Sequence, residues 1–249
     1  MKRVLFLFML TFLCALFTAC GGELTTIIEL EQDMSGRRIM KYEISKEEYA
    51  ECVSDPIATV DSKIRANCPE ELQYELEETK DSYIAIFTME FASLEEAEEK
   101  ITPLAREGEE YVIDCFIPEG VFCEGFFYEE RFEAEAVMDW FVRLMNNTGY
   151  VEGGRVSNFI DKSLVILKYG GEIYSANAKI RVEEFSYVGV SELRIITHVN
   201  GDGTYDRTME LDISEFDMKK KEQEIRLFME NSVPENAEGK WSQVVGMYT

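Results

Sequence analysis

Tyr42-Glu43-Ile44-Ser45-Lys46-Glu47-Glu48, Glu90-Phe91-Ala92-Ser93-Leu94-Glu95-Glu96 and Leu211-Asp212-Ile213-Ser214-Glu215-Phe216-Asp217 repeat one pattern at three places in the chain. In each, an alternating run of the kind that buries one face of a strand ends on a serine, and an acid follows three residues later. Ser-x-x-Glu marks a helix start: the hydroxyl accepts from the backbone N–H three residues on, and the acid reaches back to the serine's own N–H. Ser45 and Ser93 fit this outright, while Ser214 has the shorter Asp217. A strand therefore passes into a helix at three points.

Upstream of each serine the residues read as a hairpin. Leu24 to Glu31 pairs with Arg38 to Ile44 across Asp33 to Gly36, and Leu72 to Glu78 pairs with Tyr83 to Phe91 across Thr79 to Ser82. Leu193 to Val199 pairs with Thr204 to Ile213 across Asn200-Gly201-Asp202-Gly203. All three reversals use the Gly, Asn, Asp or Ser chemistry that tight turns need. Val165 to Tyr169 and Glu172 to Val182, divided by Gly170-Gly171, make a fourth hairpin; Tyr111 to Ile117 reads as a further strand. Phe132 to Asn146 reads as a helix with Phe132, Ala136, Trp140 and Leu144 as its apolar stripe, and a last helix from about Glu215 to Asn231 is expected to bury Phe216, Ile225 and Phe228. The expected class is α+β, with antiparallel β-hairpins each followed by a helix packed on the sheet.

The N-terminus carries an address. Met1-Lys2-Arg3 is cationic, Val4 to Leu16 is an almost unbroken apolar run, and Phe17-Thr18-Ala19-Cys20 follows. That is the layout of an export signal, and the run is short of the roughly 20 apolar residues a membrane span needs. The ending resembles the bacterial lipobox, in which the cysteine receives diacylglycerol; Phe17 departs from the usual branched aliphatic residue. What this implies is a signal peptide over residues 1–19, lipid on Cys20 and a mature domain over residues 20–249, held to the cell membrane or to an outer membrane. An ordinary secretory signal with an incidental cysteine is the alternative. Gly21 lacks the aspartate that retains lipoproteins at the inner membrane of enteric bacteria.

Cleavage before Cys20 leaves 249 − 19 = 230 residues, and loss of Lys2 and Arg3 takes the net charge from −24 to −26. Such a surface repels phosphate backbones, which excludes nucleic acid as a partner. With 46% hydrophobic residues the chain is no disordered acidic tail and can bury a core. The Gly- and Asn-rich stretch from Asn146 to Gly154 is the one candidate boundary, giving possible sub-lobes 20–148 and 149–249 within a single body or two apposed ones.

Four cysteines remain after Cys14 and Cys20 are set aside. Cys52, Cys68, Cys115 and Cys123 allow three pairings, of which the sequential one, Cys52–Cys68 with Cys115–Cys123, closes two short loops and is preferred; four buried thiols are the alternative. No C-x-x-C spacing occurs and His198 is the single histidine, so no zinc or thioredoxin-type site is expected.

The hairpin-then-helix units, the Asp-x-Ser-Gly turn at Asp33 to Gly36 and the step Phe91-Ala92-Ser93-Leu94-Glu95-Glu96 resemble lipoproteins of the LppM-like class over residues 20–100. The resemblance implies a compact envelope domain that contacts lipids or lipoglycans, and it carries over no functional residue. Two departures stand against it: many such proteins continue into a C-terminal transmembrane helix that this sequence lacks, and this chain is far more acidic.

Candidate chemistry is sparse. Asn200, Asp202 and Asp206 alternate as oxygen ligands that can open a calcium loop, but Tyr205 and Leu211 stand where an EF-hand needs glycine and glutamate, and a plain hairpin turn explains the same letters. His198 has no nucleophile motif to serve. Phe116, Ile117, Val121 and Phe122 flank a turn in the most apolar stretch; they enter the core or, exposed, form a binding tip. The expected function is a non-enzymatic binding module for an envelope lipid or another envelope protein, without cofactor or metal. A glycan hydrolase working through two carboxylates is the alternative, with an acid-lined cleft as its mark.

Overall fold

The computed structural model describes residues 21–106, 108, 110–118, 120–147, 159–235, 237–241, 243–244 and 247–248. The signal segment, Cys20 and the candidate boundary beyond Asn147 lie outside the described residues. The fold is mixed α+β, as expected. It divides into two compact units, the first made of residues up to 114 together with 128–181, the second of 115–127 and 182–249. The units interleave along the chain, so the consecutive sub-lobes 20–148 and 149–249 are not the division.

The first unit is built on a six-stranded sheet. Strands β1 (Gly22–Leu30) and β2 (Gly36–Ser45) form the first hairpin, β3 (Gln73–Glu78) and β4 (Ser82–Phe91) the second, and β7 (Ile160–Tyr169) and β8 (Glu172–Asn177) the third, in the order β3-β4-β2-β1-β7-β8. All neighbours run antiparallel except β1 and β7, which pair in parallel with Thr26 beside Val165 and Ile28 beside Leu167. Alternation decides which face is buried: Leu24, Thr26 and Ile28, then Arg38, Met40 and Tyr42, then Phe87 and Met89, then Val165 and Leu167. Against this face packs α4 (Asp139–Asn147), whose Phe141 ring lies 5.4 Å from Tyr42 and 5.3 Å from Phe87.

The three serines do what their spacing predicts. Ser45 completes a capping box with Glu48 at the head of α1 (Lys46–Cys52). Ser93 accepts from the Glu96 N–H at the head of α3 (Leu94–Ile101), and Ser214 accepts from the Asp217 N–H at the head of α5 (Glu215–Ser232). Between α1 and β3 the structure adds α2 (Ile57–Asn67), which the sequence reading does not place; Pro56, with no N–H to donate, stands at its N-cap. The helix expected from Phe132 opens instead as a 3-10 turn over Ala134–Met138 before α4.

The expected strand Glu172 to Val182 is broken. Ala178 sits at φ 60, a left-handed conformation that costs a residue with a Cβ, and its N–H and C=O bond to Ser163 and Ala134. The chain leaves β8 there and enters β9 (Arg181–Tyr187), which belongs to a three-stranded sheet with β5 (Ile113–Phe116) and β6 (Cys123–Glu130) in the order β5-β6-β9.

In the second unit, β10 (Val190–Val199) and β11 (Tyr205–Ser214) form a long hairpin, and β13 (Met247–Tyr248) and β12 (Gln243–Val244) extend its base. The core of this unit is small: Val188, Ile213, Met218 and Ile225, with Val121, Phe122, Leu211, Met229 and Trp241 packed around it. Ile225 is buried as expected, but Phe216 and Phe228 are exposed and Met218 takes the inward place. Among the described residues no helix is long and apolar enough to cross a membrane.

Candidate functional site

The second unit presents an uncovered apolar surface on the β10–β11 hairpin. Every residue of β10 is exposed, and so is β11 from Tyr205 to Met209. The register pairs Leu193 with Leu211, Ile195 with Met209, Thr197 with Arg207 and Val199 with Tyr205, so these eight side chains share one face. Leu193 (57%), Ile195 (52%), Val199 (70%), Tyr205 (62%) and Met209 (64%) stay open to solvent there. Towards the base the same face continues into Leu211 and Ile213, which α5 covers. The opposite face carries Glu192, Arg194, His198, Asp206, Glu210 and Asp212, with Ile196 as its large apolar residue. Arg194 ties the two strands on that side, reaching Glu210 at 2.8 Å and Glu192 at 2.9 Å.

A two-stranded ribbon standing in water is marginal by itself, because it has no layer against which to bury its side chains. Arg207 and Thr197 divide this face, with Leu193, Ile195 and Met209 on one side of them and Val199 and Tyr205 on the other, and exposed apolar surface of this extent marks a place where something binds. Nothing in the hairpin pattern alone foretold this, since a period-two strand reads the same whether or not its apolar face is covered.

The residues singled out in the sequence fall in different places. The expected tip splits: Phe116 and Ile117 are exposed, with Phe116 6.3 Å from the Phe185 ring, whereas Val121 and Phe122 pack on the second unit's core and Phe122 meets Phe228 edge-on at 5.6 Å. The four do not make one binding tip, because the turn between them sends the second pair inward. Asn200, Asp202 and Asp206 face one another's partners: Asn200 donates to Thr204 and Asp206, and Asp202 accepts from the Thr204 N–H and hydroxyl. These bonds close the turn, with Gly203 supplying the positive φ of 86. Among the described residues no group of histidine, cysteine and acids is placed to hold a metal. His198 stands exposed on the polar face opposite Asp206.

The local cysteine bridges are not formed. Cys68 and Cys123 carry free thiols. Cys52 is buried on α1, while the Cys68 thiol lies 3.7 Å from the Leu72 carbonyl. In the other loop, the Arg131 N–H donates to the Val112 carbonyl. Non-reducing denaturation followed by alkylation and mass mapping is expected to label Cys68 and Cys123; protection of either thiol contradicts the geometry.

An acid-lined recess of about 620 Å³ exists, on the first unit, between Glu29, Glu31, Arg37, Glu90, Glu96 and Lys100. Two of its carboxyls, Glu29 and Glu96, are clamped. Glu29 is held below the usual carboxylate range by hydrogen bonds from Lys168 and Arg37, and Glu96 by Lys100 and the Ala92 N–H. A glycosidase needs one carboxyl kept protonated as general acid, and these two are shifted the other way. The shifts have a consequence for stability. A carboxyl with a lowered folded-state pKa contributes above its unfolded pKa and loses that contribution as pH falls through the folded value. Thermal melts of the protein are expected to fall below pH about 4.5, and Glu29→Gln is expected to flatten that decline; an unchanged acid limb counts against the clamp.

The chain matches no family model, and no match is found among curated proteins or solved structures.

Proposed function

We propose that this is an extracytoplasmic lipoprotein, anchored through lipid on Cys20, that serves as a non-enzymatic binding module and takes an envelope partner protein on the apolar face of the β10–β11 ribbon. The single observation that carries the reading is that face: five large apolar side chains open to water on a hairpin with no layer over it. A protein partner suits it better than a lipid surface. The ribbon's other face is strongly charged, and a body of net charge −24 is repelled by anionic headgroups. The signal-like N-terminus supplies the place of work, and a lipidated cysteine supplies an anchor with more than one acyl chain, as stable attachment requires.

Two measurements test this. Metabolic labelling with a fatty acid should mark the wild type and not Cys20→Ser, while inhibition of lipoprotein processing should accumulate an uncleaved precursor; a normally secreted soluble product refutes the anchor. For the surface, a photo-crosslinking residue at Met209 should give a protein adduct in intact cells, and the same probe at Thr208, one residue earlier and on the opposite face, should not. Equal adducts at both positions, or a lipid adduct at Met209, overturn the assignment.

A further inference from the structure

We propose that the open edge of β10 is a self-pairing edge, and that two copies of this chain join through it into one continuous four-stranded sheet. The edge is real in topology, since among the described residues β10 ends its sheet and has β11 on one side only. The turn fixes which backbone groups face outward. The Asn200 N–H donates to the Thr204 carbonyl at 2.8 Å, so residue pairs at even positions of β10 are the hydrogen-bonded ones. Leu193, Ile195, Thr197 and Val199 therefore aim their N–H and C=O groups away from β11.

Native edges are usually guarded by lysine, proline or a bulge. This one, Val-Ser-Glu-Leu-Arg-Ile-Ile-Thr-His-Val, has neither lysine nor proline, and its register shift lies at the base, between Val190 and Glu192. From Glu192 to His198 the edge is regular.

Charge selects the register. An antiparallel pair of β10 strands centred on Ile195 sets Glu192 of each copy opposite His198 of the other, Leu193 opposite Thr197, and Arg194 opposite Ile196. The outward-facing residues meet one another, and the three hydrogen-bonded pairs supply about six intermolecular backbone bonds. Shifting the centre to Arg194 faces that arginine with its own copy, and shifting it to Ile196 carries Glu192 past the strand end, opposite Asn200 of the turn. Only the Ile195 register spans the regular segment without opposing like charges. It also places both apolar faces on one side of the joined sheet. The pairing stands independently of what binds that face.

The test uses the full-length chain in detergent, by sedimentation velocity over a micromolar concentration series. Wild type is expected to dimerise. Glu192→Lys removes the acid that faces His198 and should weaken the dimer about tenfold, since each dimer holds two such pairs worth up to about 1 kcal/mol each. Adding His198→Glu to it should restore affinity to near the starting value. Ile195→Pro removes an outward N–H without touching the ladder to β11, and should leave a monomer with an unchanged circular dichroism spectrum. A monomeric wild type, or a dimer indifferent to Glu192→Lys and Ile195→Pro alike, overturns the proposal. The Met209 crosslink keeps the two readings apart: if it persists in a monomer, only the pairing fails, and if it is lost in an intact dimer, only the partner-binding face does.

Discussion

Glu130→Leu is expected to destabilise the first unit by about 3–5 kcal/mol, because it strands a buried arginine. Arg38 and Glu130 are 2% and 1% exposed and meet end to end, Nη1 to Oε1 at 2.6 Å and Nη2 to Oε2 at 3.2 Å. The Tyr128 hydroxyl donates to the same Oε1 at 2.8 Å, and the Arg38 guanidinium lies 5.6 Å from the Phe132 ring centre. Alone, either charge would have lost its water for nothing. The cost therefore belongs to breaking the pair and not to the pair's net worth. Arg38→Met combined with Glu130→Leu should accordingly recover most of the loss, to within about 1–2 kcal/mol of wild type, since a packed apolar pair of similar size often replaces a buried ion pair at little cost. Urea denaturation followed by Trp140 fluorescence, in a Trp241→Phe background, reads the first unit alone, because each unit holds one of the chain's two tryptophans. A single-variant cost below about 1 kcal/mol would falsify the buried pair, and a double variant as unstable as the single would show that the pair itself stabilises.

Phe87→Ala should cost a similar amount, about 3–5 kcal/mol, through lost burial and the cavity it leaves. Phe87 is fully buried at the centre of β4, and its ring lies 5.1 Å from Tyr74, 5.3 Å from Trp140 and 5.3 Å from Phe141. Because Trp140 touches it edge-on, the same variant should shift the native emission of Trp140 to longer wavelength. Phe216→Ala is the contrast: at 71% exposure it should change stability by no more than about 0.5 kcal/mol. Equal costs for the two phenylalanines would mean that the burial assignments are wrong.

Those two phenylalanines also show how far the letters reach. Phe87 is one inward position in the alternating run Tyr83 to Phe91, and its burial follows from period two alone. Phe216 is apolar, but it opens a helix with only part of one face covered, and the sequence offers no way to tell the covered part from the rest. Met218 and Ile225, seven residues apart, mark the covered stripe. In the same way Arg38 falls on the buried file of β2 with Met40, Tyr42 and Ile44, so its inward direction is legible; its partner Glu130 lies 92 residues away and is not.

The cysteines follow the same rule. Local spacing favours short loops, but a bridge needs two Cβ atoms within reach, and the fold leaves the thiols of Cys68 and Cys123 free. The acid-lined cleft named as the mark of a hydrolase is present, yet lysine and arginine from β7, α3 and β2 reach into its carboxylates and hold two of them ionised.

By itself, then, the sequence determined what depends on near neighbours: hairpins from alternation and turn residues, and three helix starts from serine and an acid three residues on. The tertiary structure alone decided what depends on distant ones. It set β1 parallel to β7, matched Arg38 with Glu130, interleaved the two units, and left the apolar face of β10 and β11 uncovered among the described residues. The reason is physical: periodicity states which way a side chain points, while burial depends on whether some remote part of the chain arrives to meet it.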